Sequence, residues 1–476
     1  MEYPTKLNKI FKLPSKPHKT SQQQPHRVFL YPARIVLLSF ITVITIGTLF
    51  LMLPQATAAG PLSFVDALFT ATSATCVTGL VVLDTGKDFT SFGQMVILIL
   101  IQIGGLGIMT LSTFFVYLIA GRLSMTEREI VQDTLSQHPI ADLARLLKLV
   151  FLFTITIEAL GWVLLTIRFM QTNSLLEAMY LGLFHSISAF CNAGFSLFSN
   201  SFENYHNDIY INVVLGGLII LGGLGFVVIF DLYKNRTFLI RRSFVKLSFH
   251  TRIVLFITTI LIISGLLIFL GLEYNNSLSN SSFVSKALAS FFQSITARTA
   301  GFNTLDMKSL SNATLFFLII LMFIGASPGS CGGGIKTSTF LVLMASIFAR
   351  FRMQEDVNIF YRRIPKVIVS RAISVVFFSI FIIGIFNILL LISELSQISH
   401  TESRGLFLEY LFEVVSAFGT VGLSTGVTPH LSQLGRVLIT LLMFIGRLGP
   451  LTIALAVHGK ETVSKFKYVQ ESVLVG

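Results

Sequence analysis

Four short segments of this chain carry the residues whose types and spacing are best suited to chemistry. They read Ser73-Ala74-Thr75-Cys76-Val77-Thr78-Gly79-Leu80, Ser188-Ala189-Phe190-Cys191-Asn192-Ala193-Gly194-Phe195, Ile295-Thr296-Ala297-Arg298-Thr299-Ala300-Gly301-Phe302 and Ser416-Ala417-Phe418-Gly419-Thr420-Val421-Gly422-Leu423. Each holds a glycine followed by a large apolar residue. A cation leaving water needs oxygens in place of its hydration shell, and backbone carbonyls in an extended turn supply them when several copies converge on one axis. Glycine permits the left-handed backbone that helps to aim successive carbonyls. The residues before it can then vary, as Thr78, Ala193, Ala300 and Val421 do, because main chain rather than side chain would bind. Taken singly, each turn reads equally as a membrane turn or a close helix contact.

A second landmark keeps the register. Between 24 and 28 residues after each glycine come Ile103-Gly104-Gly105-Leu106-Gly107, Leu221-Gly222-Gly223-Leu224-Gly225, Ile324-Gly325-Ala326-Ser327-Pro328 and Ile445-Gly446-Arg447-Leu448-Gly449. Two landmarks at matched spacing in four copies mark an internal repeat. The third copy continues as Gly329-Ser330-Cys331-Gly332-Gly333-Gly334 with Lys336 close behind, and proline with clustered glycine cannot remain an ordinary helix. The plain reading of that break is a kink between two helix halves. The fourth copy places Arg447 where the others have Gly105, Gly223 and Ala326. A guanidinium inside a membrane span costs at least about 2.5 to 3.5 kcal/mol, so it should face a cavity or a partner, the alternative being a snorkelling or packing arginine.

The elements that must position these residues follow from hydropathy. Apolar stretches long enough to cross about 30 Å of hydrocarbon run near 33–53, 95–119, 146–170, 211–231, 252–272, 314–349, 367–393 and 437–457. Between the members of each successive pair lies an apolar stretch too short to cross: 62–75, 177–190, 283–297 and 406–418. Each is expected to be a re-entrant half-helix ending in its glycine turn. The fold class is therefore an all-α polytopic membrane protein: four tandem helix, pore loop, helix repeats around one pseudo-fourfold pore, with eight transmembrane spans. The divisions are a basic arm 1–27, repeats at 28–121, 122–236, 237–352 and 353–460, and a tail 461–476.

Composition agrees. The chain is 53% hydrophobic and only 12% charged, and its mean hydropathy is +0.78, far from a soluble chain with one buried core. A net charge of +12 would suit nucleic acid in a soluble domain, but the basic residues sit in the N-terminal arm and in alternate loops. Examples are Arg122, Arg128 and Arg145, then Arg236, Arg241 and Arg242, then Arg350, Arg352 and Arg362. That positive-inside pattern excludes nucleic acid as the partner and puts both termini in the cytoplasm. Three cysteines are too few for a disulfide framework, and no His-Glu-x-x-His or His/Cys cluster supports an intramembrane enzyme. A carrier with alternating access would more commonly have inverted or paired repeats. Glu158 reads as a buried polar contact, Asp66 and Glu409 as acids near half-helix N-termini, and Arg298 as pointing away from the cation path.

These motifs resemble the TrkH/KtrB potassium transporters, and the KtrB branch in particular, over nearly the whole chain from about Arg27. The resemblance implies a potassium filter built from Val77, Thr78, Gly79, Asn192, Ala193, Gly194, Thr299, Ala300, Gly301, Thr420, Val421 and Gly422, with K+ as the transported ion and no enzymatic activity. It implies an intramembrane gate formed by Gly325, Ser327, Pro328, Gly329, Gly332, Gly333, Gly334 and Lys336 beside Arg447. It also implies a homodimer in a prokaryotic plasma membrane, regulated by a cytoplasmic KtrA-like nucleotide-binding ring, with no covalently bound cofactor and Na+ as a candidate activator. A sodium/potassium-coupled or less selective carrier of the same architecture is the alternative.

Overall fold

The structure is a computed structural model that describes residues 32–107, 143–235, 247–396 and 405–450, with the single residues 399, 403, 452 and 453. The basic arm, the second half of the 95–119 stretch, the loop bases Arg122, Arg128, Arg236, Arg241 and Arg242, and the C-terminal tail lie outside the described residues.

The chain is mostly helical. Helices α1 (Pro32–Leu51), α2 (Phe64–Thr75) and α3 (Ser91–Leu106) come first, then α4 (Leu143–Phe169), α5 (Leu175–Phe190), α6 (Ile209–Leu224) and α7 (Phe226–Lys234). Next are α8 (Phe249–Glu273), α9 (Phe283–Thr296), α10 (Asn312–Phe323) and α11 (Thr337–Phe351). A two-stranded hairpin, β1 (Asn358–Ile359) with β2 (Arg362–Arg363), leads to α12 (Lys366–Leu395), α13 (Leu406–Gly419) and α14 (Gln433–Leu448).

The short helices α2, α5, α9 and α13 match the expected half-helices to within two residues at each end. At 12 to 16 residues, and about 1.5 Å per residue, none can cross a bilayer. Three start at a serine cap: Ser63, Ser174 and Ser282 accept the backbone N–H of Asp66, Glu177 and Ser285 at 3.2, 3.4 and 3.2 Å. The fourth starts after Gly405 without a side-chain cap.

The expected long spans are interrupted more often than hydropathy suggests. Helices α3, α6 and α14 each stop at a glycine of left-handed backbone, Gly107, Gly225 and Gly449, with φ of 80°, 93° and 81°. At Gly225 the chain bends by 95° into α7. The 314–349 stretch divides into α10 and α11 around residues 324–336. Among the described residues, four helices are long and apolar enough to cross alone, and the bent α6–α7 pair makes a fifth. A hydropathy window registers apolar side chains and is blind to backbone φ, so it runs through these breaks.

Close packing explains the second landmark. A Cβ at Gly104 would collide with the carbonyl of Thr75, one at Gly222 with that of Phe190, and one at Gly446 with that of Phe418. In these three copies the second helix therefore touches the C-terminal end of its own half-helix, and only glycine lets it come so near. Among the described residues, two large apolar clusters fill most of the surrounding volume. One draws mainly on the first half of the chain but includes Phe292, Phe302 and Cys331, and the other draws on the second half but includes Phe69 and Leu80. Both halves are thus stitched together at both seams.

Candidate functional site

The four half-helices end where the four glycine turns begin, and the turns share one unusual backbone. Val77 and Gly79 have φ of 58° and 93°, Asn192 and Gly194 60° and 71°, Thr299 and Gly301 76° and 80°, Thr420 and Gly422 49° and 91°. In each, a residue of ordinary φ separates two left-handed ones. Alternation of hand turns successive carbonyls toward the same side, the arrangement an ion needs to exchange water for backbone oxygen. Left-handed backbone is a true outlier for the β-branched Val77, Thr299 and Thr420, costing of order 1–3 kcal/mol each, and persists only where the surroundings over-determine it.

The turns close on one another as a ring. A Cβ at Gly79 would lie 3.0 Å from the Cα of Gly194 and strike the Ala193 carbonyl. At Gly194 it would lie 2.9 Å from the Ala300 carbonyl, at Gly301 it would strike the Val421 carbonyl, and at Gly422 the Thr78 carbonyl. All twelve expected filter residues are thus brought together, with the oxygens of Thr78, Ala193, Ala300 and Val421 on the contact line. The half-helices point their C-terminal carbonyls, the negative ends of their dipoles, into the same region, which favours a cation there.

Hydroxyl groups brace the ring from behind. Ser73 Oγ donates to the Leu80 carbonyl (2.7 Å) and accepts the Gly79 N–H (3.1 Å). Ser188 donates to Phe195 (2.8 Å), Thr296 to Phe302 (2.6 Å), and Ser416 accepts the Gly422 N–H (3.1 Å). Asn192 turns its amide outward, donating to the Ala189 and Ile219 carbonyls at 3.0 and 3.1 Å in the orientation that satisfies both. In the sequence the only sign of these hydroxyls is the serine that heads three of the four turns.

A second brace was also missed. Nine residues before their glycines (185 to 194, 413 to 422), α5 and α13 carry His185 and Glu413, both fully buried. His185 Nε2 accepts the Leu197 N–H at 3.2 Å and the Ser196 hydroxyl at 3.1 Å, so its proton sits on Nδ1 and is donated to the Leu181 carbonyl (2.8 Å). Glu413 accepts the Ser424 hydroxyl, the Thr425 N–H (3.1 Å) and the Thr428 hydroxyl (2.8 Å). In both, the hydroxyl two residues after the glycine and the N–H three residues after it are held. The corresponding positions in the other two copies are Thr70 and Phe292.

A cavity of about 520 Å3 opens over the ring, bounded by Gly79, Gly194, Gly301 and Gly422. Its charged wall residues are Asp84, Glu203, Asp306 and Lys308. Burial, and then the neighbouring charge of Asp306, raise the pKa of Glu203 against a lowering hydrogen bond from Asn303. Asp66, in contrast, is held in an ion pair by Arg436 and does not line this cavity.

On the other side of the ring lies the glycine-rich loop. Its Gly333 N–H donates to Thr420 Oγ1 (3.1 Å), and a Cβ at Gly332 would strike Thr299 Oγ1. The loop is tied to the α6–α7 break: Ser327 N–H donates to Gly223 O (3.2 Å), Cys331 N–H to Gly222 O (3.2 Å), and Gly329 O accepts the Phe226 N–H (2.9 Å). Pro328 sits against Gly225, Gly325 N–H bonds Ile335 O (2.9 Å), Gly334 turns at φ 66°, and Lys336 Nζ folds back onto Gly332 O (2.7 Å). Arg447 forks, donating to the Cys331 carbonyl of the loop and to the Gly104 carbonyl at the end of α3. Glu158 is a buried contact for Gln102 (3.1 Å) and the Cys191 thiol (3.8 Å), and Arg298 points to the Thr258 carbonyl of α8 (3.2 Å).

A ring of inward backbone turns, a charged mouth on one side and an irregular loop on the other, inside a shell of apolar helices, defines a multi-pass membrane protein for moving cations. The TrkH family of cation transport proteins matches residues 8–465, and the chain belongs to that family. It is 42% identical to the Ktr system potassium uptake protein B of Bacillus subtilis (strain 168), over 94% of this chain and 97% of that one. It is 40% identical to the protein of that name from Vibrio alginolyticus, over 93% and 94%. The potassium/sodium uptake protein NtpJ of Enterococcus hirae is 34% identical over 94% and 98%. Among solved structures, the potassium transporter TrkH of Vibrio parahaemolyticus shares the fold at a TM-score of 0.70 and 18% identity, covering 94% of this chain and 87% of that one. The protein is a transporter and not an enzyme.

Proposed function

We propose that this chain is the potassium-conducting membrane subunit of a Ktr-type uptake system. The observation that carries the reading is the closed ring of four turns, each with two left-handed residues around one whose carbonyl meets the glycine of the preceding turn, with Thr78 closing the ring on Gly422. Potassium passes by exchanging water for the carbonyls of residues 77–79, 192–194, 299–301 and 420–422, and the Asp84–Glu203–Asp306 mouth faces outward.

Around that ring, four repeats with the bounds 28–121, 122–236, 237–352 and 353–460 supply eight spans. Each half-helix lies between a long first helix and a second helix that breaks near a glycine, which supports this count. The loop from Gly325 to Lys336 is the gate and Arg447 its latch, because the loop meets Thr299 and Thr420 at the entry to the ring. Two copies form a homodimer, and a cytoplasmic nucleotide-binding ring drives the gate from the side that bears both termini. The named similarity to Ktr system uptake proteins supports a regulatory partner of this kind. The similarity to a potassium/sodium uptake protein supports a second reading, in which sodium shares the path or activates it.

Flux into proteoliposomes, with potassium, rubidium and sodium compared side by side, tests the proposal. Potassium and rubidium should enter well ahead of sodium. Equal permeation of sodium would remove potassium selectivity and favour the second reading.

A further inference from the structure

We propose that Lys308 is a tethered cation in the external mouth, whose ammonium competes with arriving potassium for the carboxylate field over the ring and so sets the apparent affinity for external ion. The inference rests on the pore reading above.

Three carboxylates and one ammonium share the cavity that stands on the four ring glycines. Lys308 lies on the short turn Met307–Ser309 that follows the third glycine turn, and it reaches across to the loop after the fourth. There it lies on Gly426, whose φ of 88° leaves that face bare: a Cβ would come within 2.8 Å of Nζ and would strike Cε. The lysine stem therefore has a built seat that aims its charge over the mouth rather than away from it.

The ammonium nevertheless takes no carboxylate as a partner. Asp306 Oδ1 accepts the backbone N–H of Lys308 at 3.0 Å, not Nζ, while Glu203 is engaged by Asn303 at 2.8 Å. Among the described residues Lys308 Nζ makes no ion pair and no hydrogen bond. Its charge is thus not cancelled by a fixed contact and acts on the field of the whole cavity. A cleft of one dominant sign with low-dielectric walls concentrates counter-ions, and a cation fixed inside it opposes that concentration. Since Lys308 and a hydrated potassium ion answer to the same carboxylates, removal of the ammonium should raise the local ion concentration.

The test is the apparent KM for potassium in proteoliposome uptake at low ionic strength and again at high ionic strength set by impermeant N-methylglucamine. Lys308→Met should lower KM by about tenfold at low ionic strength, the lower end of the range that focused fields produce. Lys308→Glu should lower it further, Lys308→Arg should keep the wild-type value, and high ionic strength should shrink the differences. KM values equal to wild type in both Met and Glu variants, or differences that ignore ionic strength, overturn the proposal. If Lys308→Glu fails to fold, Lys308→Asp serves in its place. Wild-type protein that takes up no potassium would instead sink the pore reading itself, so the two failures are distinguishable.

Discussion

Gly301 shows how little room the ring allows. A methyl group there would strike the Val421 carbonyl and crowd the Cα atoms of Gly194 and Gly422 at 3.0 and 3.2 Å. It would also add the strain of a side chain at φ 80°, of order 1–3 kcal/mol. Gly301→Ala is expected to abolish selective potassium uptake, while Ala at Gly217, where a Cβ meets nothing within 4 Å, should leave it intact; isotope flux at equal protein amount decides. The ring glycines and their neighbours were legible because a glycine recurring in four copies is a local signal. Left-handed Val77, Thr299 and Thr420 were not, since nothing in a valine or threonine announces a backbone that only its surroundings impose. His185 and Glu413 stayed hidden for a related reason, as their partners lie in loops after the glycine and the two bracing side chains are themselves of different types. Glu413→Gln should weaken the hydrogen-bond set that holds the loop after Gly422, each bond of about 0.5–1.5 kcal/mol net. The expected result is a lower potassium-to-sodium ratio, and an unchanged ratio counts against this role. The raised pKa of Glu203 makes a further prediction at this scale. On acidification Glu203 loses its charge at a higher pH than an ordinary carboxylate, while Asp84, Asp306 and Lys308 remain in the same cavity. The apparent KM for potassium should therefore rise before ordinary carboxylates titrate, and Glu203→Gln should remove that step from the pH profile.

At the scale of elements, the half-helices were read almost to the residue, because a short apolar run ending in a glycine turn has few other solutions in a membrane. The second helices were read too simply. Their breaks at Gly107, Gly225 and Gly449 answer to backbone conformation, and the close contacts of Gly104, Gly222 and Gly446 answer to packing between elements. Arg447 belongs at this scale as well, since its two bonds tie the loop between α10 and α11 to the end of α3. A guanidinium can span two carbonyls as a fork, and an ammonium is a point donor. Arg447→Ala should release the loop and raise flux of the membrane chain alone, and Arg447→Lys should give an intermediate rise. Flux and its regulation unaltered in both would remove the latch.

For the whole molecule, the chain folds back so that its last unit meets its first. Arg436 at the start of α14 pairs with Asp66 at the start of α2, and the second apolar cluster takes in Phe69 and Leu80. Hydropathy and repeat spacing lead to four like units but carry no information on how the circle is shut, which depends on a contact between residues 370 positions apart. The proposed homodimer is also a matter for this scale. Light scattering of the protein in detergent should return twice the chain mass of 52.7 kDa once the detergent is subtracted; a single chain mass would contradict it.

The contact between Gly333 and Thr420 has one more implication. The loop donates to a hydroxyl on a residue that also forms the ring, so under the gating proposed above ion occupancy and loop position are expected to be coupled rather than independent. Occupancy of the ring and position of the loop then share one free energy, and the sharing runs both ways. A ligand that releases the loop is then expected to alter ion affinity by some factor, and the ion to alter that ligand's affinity by the same factor. Nucleotide titrations of the assembled system in potassium-rich and potassium-poor buffer would measure it; identical midpoints would mean that the loop moves without the ring taking notice.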